Sequence, residues 1–345
     1  MTDAYARAGV DVGAADAAIG ALVGVLRTID TGRPSRVVPL PGHYAAVLKV
    51  APGLGIAVGT DGVGSKLIVA ERTGRYDTVG IDCIAMNVND VICVGAEPFA
   101  VLDYLAVEQT DPVVFEAIAR GLKAGAEQAG VEIPGGEVAV LPELIRGHPS
   151  PTGFDLTAAC FGTVALDAIV TGAGCAPGDA LIGLPSSGLH SNGYTLARRV
   201  LEPLGLDALP DQLGGASVAD VLLEPTVIYV RAVLDLLRSG LPVQGLAHIT
   251  GGGLANLLRL SDRVGFAIEA PLPVPPVYEL LRGSVPEAEL WGVFNMGCGF
   301  VAVVPEAVAD DAVALLAAHH PGTARVGSVT GAAGAVRVPP LGVAL

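Results

Sequence analysis

The chain is 345 residues long, enough for about two domains, and it is 51% hydrophobic but only 16% charged, so large cores are easily built. Its net charge of −15 opposes extended contact with nucleic acid, which is gripped by Lys and Arg. No stretch of about 18 apolar residues free of charge, Gly and Pro is available to cross a membrane, and Asp3, Arg7 and Asp11 break any signal-like start, so the expected setting is cytoplasmic, with neither nucleic acid nor membrane as partner.

Residues 14–29 are Ala-rich with helical apolar spacing and stop at Asp30-Thr31-Gly32-Arg33-Pro34. Residues 47–50 and 56–58 read as strands about a Pro52-Gly53 turn, followed by a Gly-rich loop over 59–66. A helix is expected over 82–94, with Asp82 a candidate N-cap and Gly95-Ala96-Glu97-Pro98 its stop. A strand over 100–106 carries Asp103; a helix over 112–129 starts at Pro112 and stops at Gly130; a Gly135-Gly136-Glu137 turn and a strand over 157–164 follow. Residues 165–180 turn Gly- and Pro-rich, which places a boundary between domains 1–168 and 169–345. The second half reads as a strand over 180–184, helices over 193–200 and 226–238, a third ending near 260, a strand over 265–269, a Pro-rich loop over 271–276, a strand over 301–304 and a helix over 307–318. The class is a mixture of α and β in two halves.

The chemistry concentrates in Gly-rich turns. Gly59-Thr60-Asp61-Gly62-Val63-Gly64-Ser65-Lys66 combines three glycines, a carboxylate and one of only three lysines. Amides and Lys66 suit a phosphate and Asp61 suits its Mg²⁺; a plain tight turn with a solvated lysine is the alternative. The order Gly-Ser-Lys departs from the Gly-Lys-Ser/Thr of a Walker A loop. Asp82, Asn87, Asn89 and Asp90 sit among apolar neighbours in a helix they do not favour, and Asp90 there needs a partner or a metal. In the second half Ser186-Ser187-Gly188-Leu189-His190-Ser191-Asn192-Gly193-Tyr194 surrounds an imidazole with hydroxyls and glycines. His190 is either an acid/base group or a loop histidine at a helix start. His248-Ile249-Thr250-Gly251-Gly252-Gly253 is a second possible anion seat, and Phe294-Asn295-Met296-Gly297-Cys298-Gly299-Phe300 a third polar turn. His43, His148, His319 and His320 read as surface or structural, with no zinc spacing. Cys83, Cys93, Cys160, Cys175 and Cys298 form no Cys-x-x-Cys pair and read as buried thiols.

Together with Ala8-Gly9-Val10-Asp11, Gly80-Ile81-Asp82, Ala85 to Asp90, Gly95 to Pro98 and Leu102-Asp103-Tyr104, these motifs resemble the phosphoribosylformylglycinamidine cyclo-ligase, or aminoimidazole ribonucleotide (AIR) synthetase, family over nearly the whole chain. The resemblance implies an α+β, two-domain fold, with the N-terminal sheets of a homodimer joined into a β-barrel and an α/β sandwich as C-terminal domain. It implies an ATP- and Mg²⁺-dependent ligase of purine biosynthesis that phosphorylates the formyl oxygen of formylglycinamidine ribonucleotide, so that an amidine nitrogen can displace phosphate and close the ring. Asp61, Asp90 and Glu137 would then hold Mg²⁺, while Gly59, Thr60, Asp61, Gly62, Val63, Gly64, Ser65, Lys66, Asp82, Asn87, Asp103, Gly136 and Glu137 would line ATP. Ser187, Gly188, His190, Ser191, Asn192, Thr250, Gly251, Gly252 and Asn295 would face the ribonucleotide, and His190, Asp90 and Lys66 would carry the chemistry. The sequence departs from the family at 38–45, at Ala21-Leu22-Val23 in place of basic residues, and at Val138 and Val140 in place of Thr and Glu. A relative that activates another amide, a kinase-like enzyme and a non-catalytic nucleotide binder are the alternatives; no Cys precedes the loop at 59, which argues against selenium chemistry.

Overall fold

The computed structural model describes residues 12–345; Ala8-Gly9-Val10-Asp11 lies outside the described residues. After the largely exposed helix α1 (Val12–Leu26), the first half is built on a six-stranded sheet. Its strands are β1 (Val37–Val38), β2 (Ala46–Ala51), β3 (Leu54–Gly62), β4 (Glu97–Val107), β5 (Glu132–Val140) and β6 (Phe154–Ala165), in the order β1-β2-β3-β6-β4-β5. All neighbours are antiparallel except β4 and β5. That parallel pair needs a crossover, which helix α4 (Pro112–Ala129) supplies after α2 (Leu67–Thr73) and α3 (Val79–Ile92). Asp111 caps α4, accepting a hydrogen bond from Val113 N at 2.8 Å, and Gly130 ends it at φ 75°.

Strand alternation makes one face of this sheet a core, with Leu156, Ala158 and Cys160 of β6 buried on it. α3 covers that face and is itself buried along almost its whole length, because α4 closes over its other side. The two helices meet at glycines: a Cβ on Gly80 would stand 2.2 Å from Leu122 N, and one on Gly121 2.3 Å from Asp77 O. On its other sides α3 carries Asp82, Asn87 and Asn89 with no exposure to speak of.

The second half is a seven-stranded sheet, order β13-β12-β9-β11-β7-β10-β8, from β7 (Ala180–Pro185), β8 (Gly245–His248), β9 (Gly265–Ile268), β10 (Cys298–Val304), β11 (Ala324–Thr330), β12 (Val336–Val338) and β13 (Val343–Ala344). Its helices are α5 (Tyr194–Leu201), α6 (Val218–Leu223), α7 (Val230–Arg238), α8 (Val277–Arg282), α9 (Glu287–Val293) and α10 (Ala309–Ala317). Every residue of β8, β9 and β10 is buried. Among the described residues no helix is long and apolar enough to cross a membrane.

Several elements differ from the sequence reading. The expected loop over 59–66 is strand as far as Gly62, because β6 pairs with β3 along its length, Gly62 against Thr157; only Gly64–Lys66 turns, as a 3₁₀ helix. The expected turn at Gly135-Gly136-Glu137 is also strand, paired with β4. Thr78, not Asp82, stands at the N-cap of α3. The expected helix over 226–238 starts only at Val230, because side chains of α3 take the N–H groups of Thr226 and Tyr229. The helix expected to end near 260 is 3₁₀, Gly253–Arg259.

Candidate active site

Where α3 faces the second half, its polar side chains hold segments of both halves. Asp82 is fully buried, and its Oδ1 accepts hydrogen bonds from Lys66 Nζ at 2.9 Å, Ser191 Oγ at 3.1 Å, Thr226 N at 2.8 Å and Thr226 Oγ1 at 2.7 Å. Two turns on, Asn89 donates to Val227 O at 2.8 Å and accepts from Tyr229 N at 3.0 Å. Asn87 faces β3 instead: its Oδ1 accepts from Asp61 N at 3.0 Å, and its Nδ2 donates to Asp61 O at 3.1 Å and Cys83 O at 2.9 Å. One helix thus fixes the backbone at Asp61 and the segment 226–229 through hydrogen-bonded buried side chains.

Asp61 and Asp90 lie near each other. Burial raises the Asp61 carboxyl above its ordinary range; Gly62 N–H, donating to it at 2.7 Å, and the neighbouring His248 and Arg259 pull the other way, while Asp90 adds to the rise. Asp90 Oδ1 is 2.8 Å from Nδ1 of the fully buried His248, whose Nε2 has no partner among the described residues. Nothing in the sequence pointed to that pair, 158 positions apart.

His190 is 1% exposed and sits at φ 61°, the left-handed region that non-glycine residues rarely adopt. Ser187 N donates to its Nε2 at 3.3 Å, which assigns the proton of the neutral ring to Nδ1, a buried atom without a partner among the described residues. Burial first, then His248 and Lys66, hold the imidazole well below its ordinary pKa. Gly299 lies against the ring: a Cβ there would stand 2.5 Å from His190 Cε1. Asn295 gathers this loop, donating to Gly188 O at 2.8 Å and accepting from Ser186 Oγ at 2.8 Å, Tyr278 Oη at 3.1 Å and Gly297 N at 2.9 Å. Ser187 donates to Pro225 O at 2.6 Å, and Asn192 reaches Met86 Sδ at 3.8 Å. Thr250 N and Gly251 O are both bound by Asn256, whose own carbonyl accepts from Tyr44 Oη at 3.1 Å. The altered stretch 38–45 is therefore anchored to the second half.

Other expected residues stand apart. Asp61, Ala158, Asp103 and Gly136 are level across four neighbouring strands, which sets Asp61 and Asp103 about 10 Å apart in backbone terms. Burial raises Asp103 as well. Glu137 is exposed and level with Tyr104, so it alternates to the other face of the sheet. Among the described residues no group of three or more His, Cys, Asp or Glu is placed to hold a metal ion. All five cysteines are free and buried, and burial pushes the thiols of Cys160, Cys175 and Cys298 up to about 12, far from nucleophilic use at neutral pH. The sequence reading missed Thr226, Tyr229 and Asn256; the first two follow the break Glu224-Pro225, a signal that was available.

The buried histidines make a pH prediction. Relative to an ordinary value of 6.5, His43 and His320 are lowered to about 4, and His190 lies well below 6.5, each mainly through burial. The unfolded chain therefore binds more protons than the folded one below about pH 6.5, and stability falls as pH is lowered from there toward 4. Each fully resisting histidine contributes at most about 1.4 kcal/mol per pH unit, and the partly exposed His43 and His320 less. Asp61, Glu71 and Asp103, raised by burial, take up protons in the folded state and offset part of the loss at the acid end. Urea midpoints measured from pH 7 to 5 should fall; midpoints that rise would contradict the buried, neutral rings.

Comparison with known proteins agrees with this architecture. The N-terminal domain of AIR synthase related proteins matches residues 42–164, and their C-terminal domain matches 176–338. The phosphoribosylformylglycinamidine cyclo-ligase of Thermococcus kodakarensis is 47% identical over 99% of each chain, and that of Methanothermobacter thermautotrophicus 46% identical over 94% of each. Among solved structures, the hydrogenase maturation protein HypE in complex with ATP superposes with TM-score 0.58 at 22% identity, covering 89% of each chain. AaThiL complexed with AMPPCP and TMP gives TM-score 0.63 at 17% identity, covering 88% of this chain and 89% of that one. At such identities the two structures speak for the fold alone.

Proposed function

Because the chain belongs to the phosphoribosylformylglycinamidine cyclo-ligase family, we propose that it is the ligase that closes formylglycinamidine ribonucleotide to aminoimidazole ribonucleotide with ATP in purine biosynthesis. One observation supports this reading most: the end of β3 that carries Asp61 and the loop that carries His190 are both hydrogen-bonded to α3, the helix that carries Asp90. ATP, when bound, supplies the phosphoryl group that makes the formyl oxygen a leaving group. In such transfers the protein's task is positioning and neutralising charge.

The chain's residues fit Mg²⁺ in part. The negative charge of Asp90 adds to the rise that burial gives the Asp61 carboxyl, and Mg²⁺ is commonly held by one or two carboxylates together with substrate phosphates. Glu137, on the other face of its strand, stands outside this pair. The N–H groups of Asp61, Gly62 and Val63 are taken by Asn87, the Asp61 carboxylate and the Leu156 carbonyl, so the Gly59–Lys66 segment would meet the nucleotide through the amides of Gly64 and Ser65 in its 3₁₀ turn, with Thr60, Asp103 and Gly136 on the adjoining sheet. His190 is a neutral ring with its lone pair taken by Ser187 N–H, and in this reading it would donate from Nδ1 to an oxygen of the ribonucleotide. Asn192 and Gly251 would line the same substrate from two loops that touch: a Cβ on Gly251 would stand 3.3 Å from Asn192 Oδ1.

A homodimer belongs to the same reading. β5 is a sheet edge, and β4 and β5 expose Phe99, Leu102, Tyr104, Val138 and Val140. An open edge beside apolar side chains is the feature that closing a sheet against a second copy removes; the monomer mass in light scattering would exclude it. The activity is tested by incubation with ATP, Mg²⁺ and formylglycinamidine ribonucleotide. Aminoimidazole ribonucleotide should form, detected by mass, with equimolar ADP; ADP release without ring closure would overturn the reading.

A further inference from the structure

Lys66 ends the Gly-rich segment, and the sequence expectation was an ammonium facing phosphate. The structure places it elsewhere. Lys66 is 0% exposed, and its Nζ reaches three acceptors on three separate segments. These are Asp82 of α3 at 2.8 and 2.9 Å, the His190 carbonyl at 3.1 Å and the Glu224 carbonyl at 2.7 Å. An ammonium has three N–H donors, so all three are committed. The Tyr194 ring lies below it, its centroid 5.6 Å from Nζ. To meet a phosphate, Lys66 would have to abandon a buried carboxylate that has no other ion-pair partner among the described residues.

From these contacts we infer that Lys66 is a positioning residue, clamping the His190 backbone and the 224–226 segment to α3, and not a ligand of the nucleotide. His190 has a left-handed backbone that needs holding, and a charged donor on its carbonyl is a strong hold. Asp82 completes the clamp by binding Ser191 and Thr226 on either side. The neighbouring Gly64 and Ser65 belong to the stretch whose amides are proposed to meet ATP. A single side chain therefore joins the nucleotide segment to the loop that presents His190. The inference rests on the proposed function only in taking His190 to face the substrate.

The test uses the full-length Lys66→Met/Asp82→Leu variant, which removes both charges so that neither is buried alone. Affinity for AMPPCP with Mg²⁺ should stay within about threefold of the parent, and KM for ATP likewise. kcat should fall about 100-fold, the loss expected when a reacting group is misplaced by about an ångström. Hydrogen exchange should quicken over residues 186–193 and stay unchanged over 59–65. A tenfold or greater loss of AMPPCP affinity would make Lys66 a phosphate ligand and overturn the inference, as would kcat within about threefold of the parent or unchanged exchange at 186–193. Should the double variant not fold, Asp82→Asn, which keeps the shape, is read by the same outcomes. A parent that binds AMPPCP but closes no ring would remove the functional reading and leave the affinity and exchange measurements to decide the clamp.

Discussion

Asp90→Asn is expected to lower ATP turnover by about 10²- to 10³-fold, the range seen when one preorganised electrostatic contact is removed from a reacting centre, while the protein still folds. The substitution keeps the size of the side chain and an oxygen able to accept from His248 Nδ1, 2.8 Å away in the parent. Only the negative charge beside Asp61 is lost. If that charge serves to hold a cation on the nucleotide, the defect should lie in turnover and in the Mg²⁺ concentration needed for it. An ADP-release assay over a range of Mg²⁺, with circular dichroism as the control for folding, measures both. Turnover within tenfold of the parent, at ordinary Mg²⁺, would remove Asp90 from the site. Unfolding would instead make the His248–Asp90 pair a structural tie between the halves.

The long, regular elements could be read from the sequence because their local signals agree. α4 has Asp111, Pro112 and Gly130 at the positions that cap, start and end a helix, and Pro52-Gly53 sits in the hairpin between β2 and β3. Strands containing glycine were harder. Pro134-Gly135-Gly136 lies within β5, where an edge position tolerates residues that a central strand would not. Gly327 lies within β11 because a Cβ there would stand 1.8 Å from Ala267 O, so glycine marks close approach there and not a turn. Neither reason is visible without the partner strand.

At the site, residue identities were easier to read than contacts. Asp82, Asn87, Asn89 and Asp90 stood out because carboxylates and amides are poor residues for a helix interior, and each does have a specific partner. Which partner could not be known: the contacts of Asp82 with Ser191 and Thr226 span 109 and 144 positions. The three carboxylates expected around Mg²⁺ shared a motif pattern, but strand alternation separates Glu137 from Asp61. The loop around Lys66 suggests an ammonium for phosphate, whereas its location depends on Asp82, a residue sixteen positions later on another element.

That burial gives Lys66 the largest expected effect on stability. Lys66→Met alone should cost about 3–5 kcal/mol, the range for removing one partner of a buried ion pair. The methionine fills much of the same volume, so the loss would not come from a cavity. It would come from Asp82, left at 0% exposure with its counter-charge gone. Three donors to Asp82 remain, Ser191 Oγ, Thr226 N and Thr226 Oγ1, which favours the lower end of that range. The His190 and Glu224 carbonyls would each lose a charged donor as well, and a buried carbonyl left unpaired costs about 1–3 kcal/mol. Adding Asp82→Leu should recover only part of the loss, because the stranded charge disappears with its partner while Thr226 N–H loses its acceptor and the His190 and Glu224 carbonyls stay without a charged donor. Guanidinium unfolding of the parent, both single variants and the double variant closes the cycle. A Lys66→Met loss below about 1 kcal/mol would be the size expected of a solvated surface pair, and it would mean that Lys66 and Asp82 meet in water and not in the core.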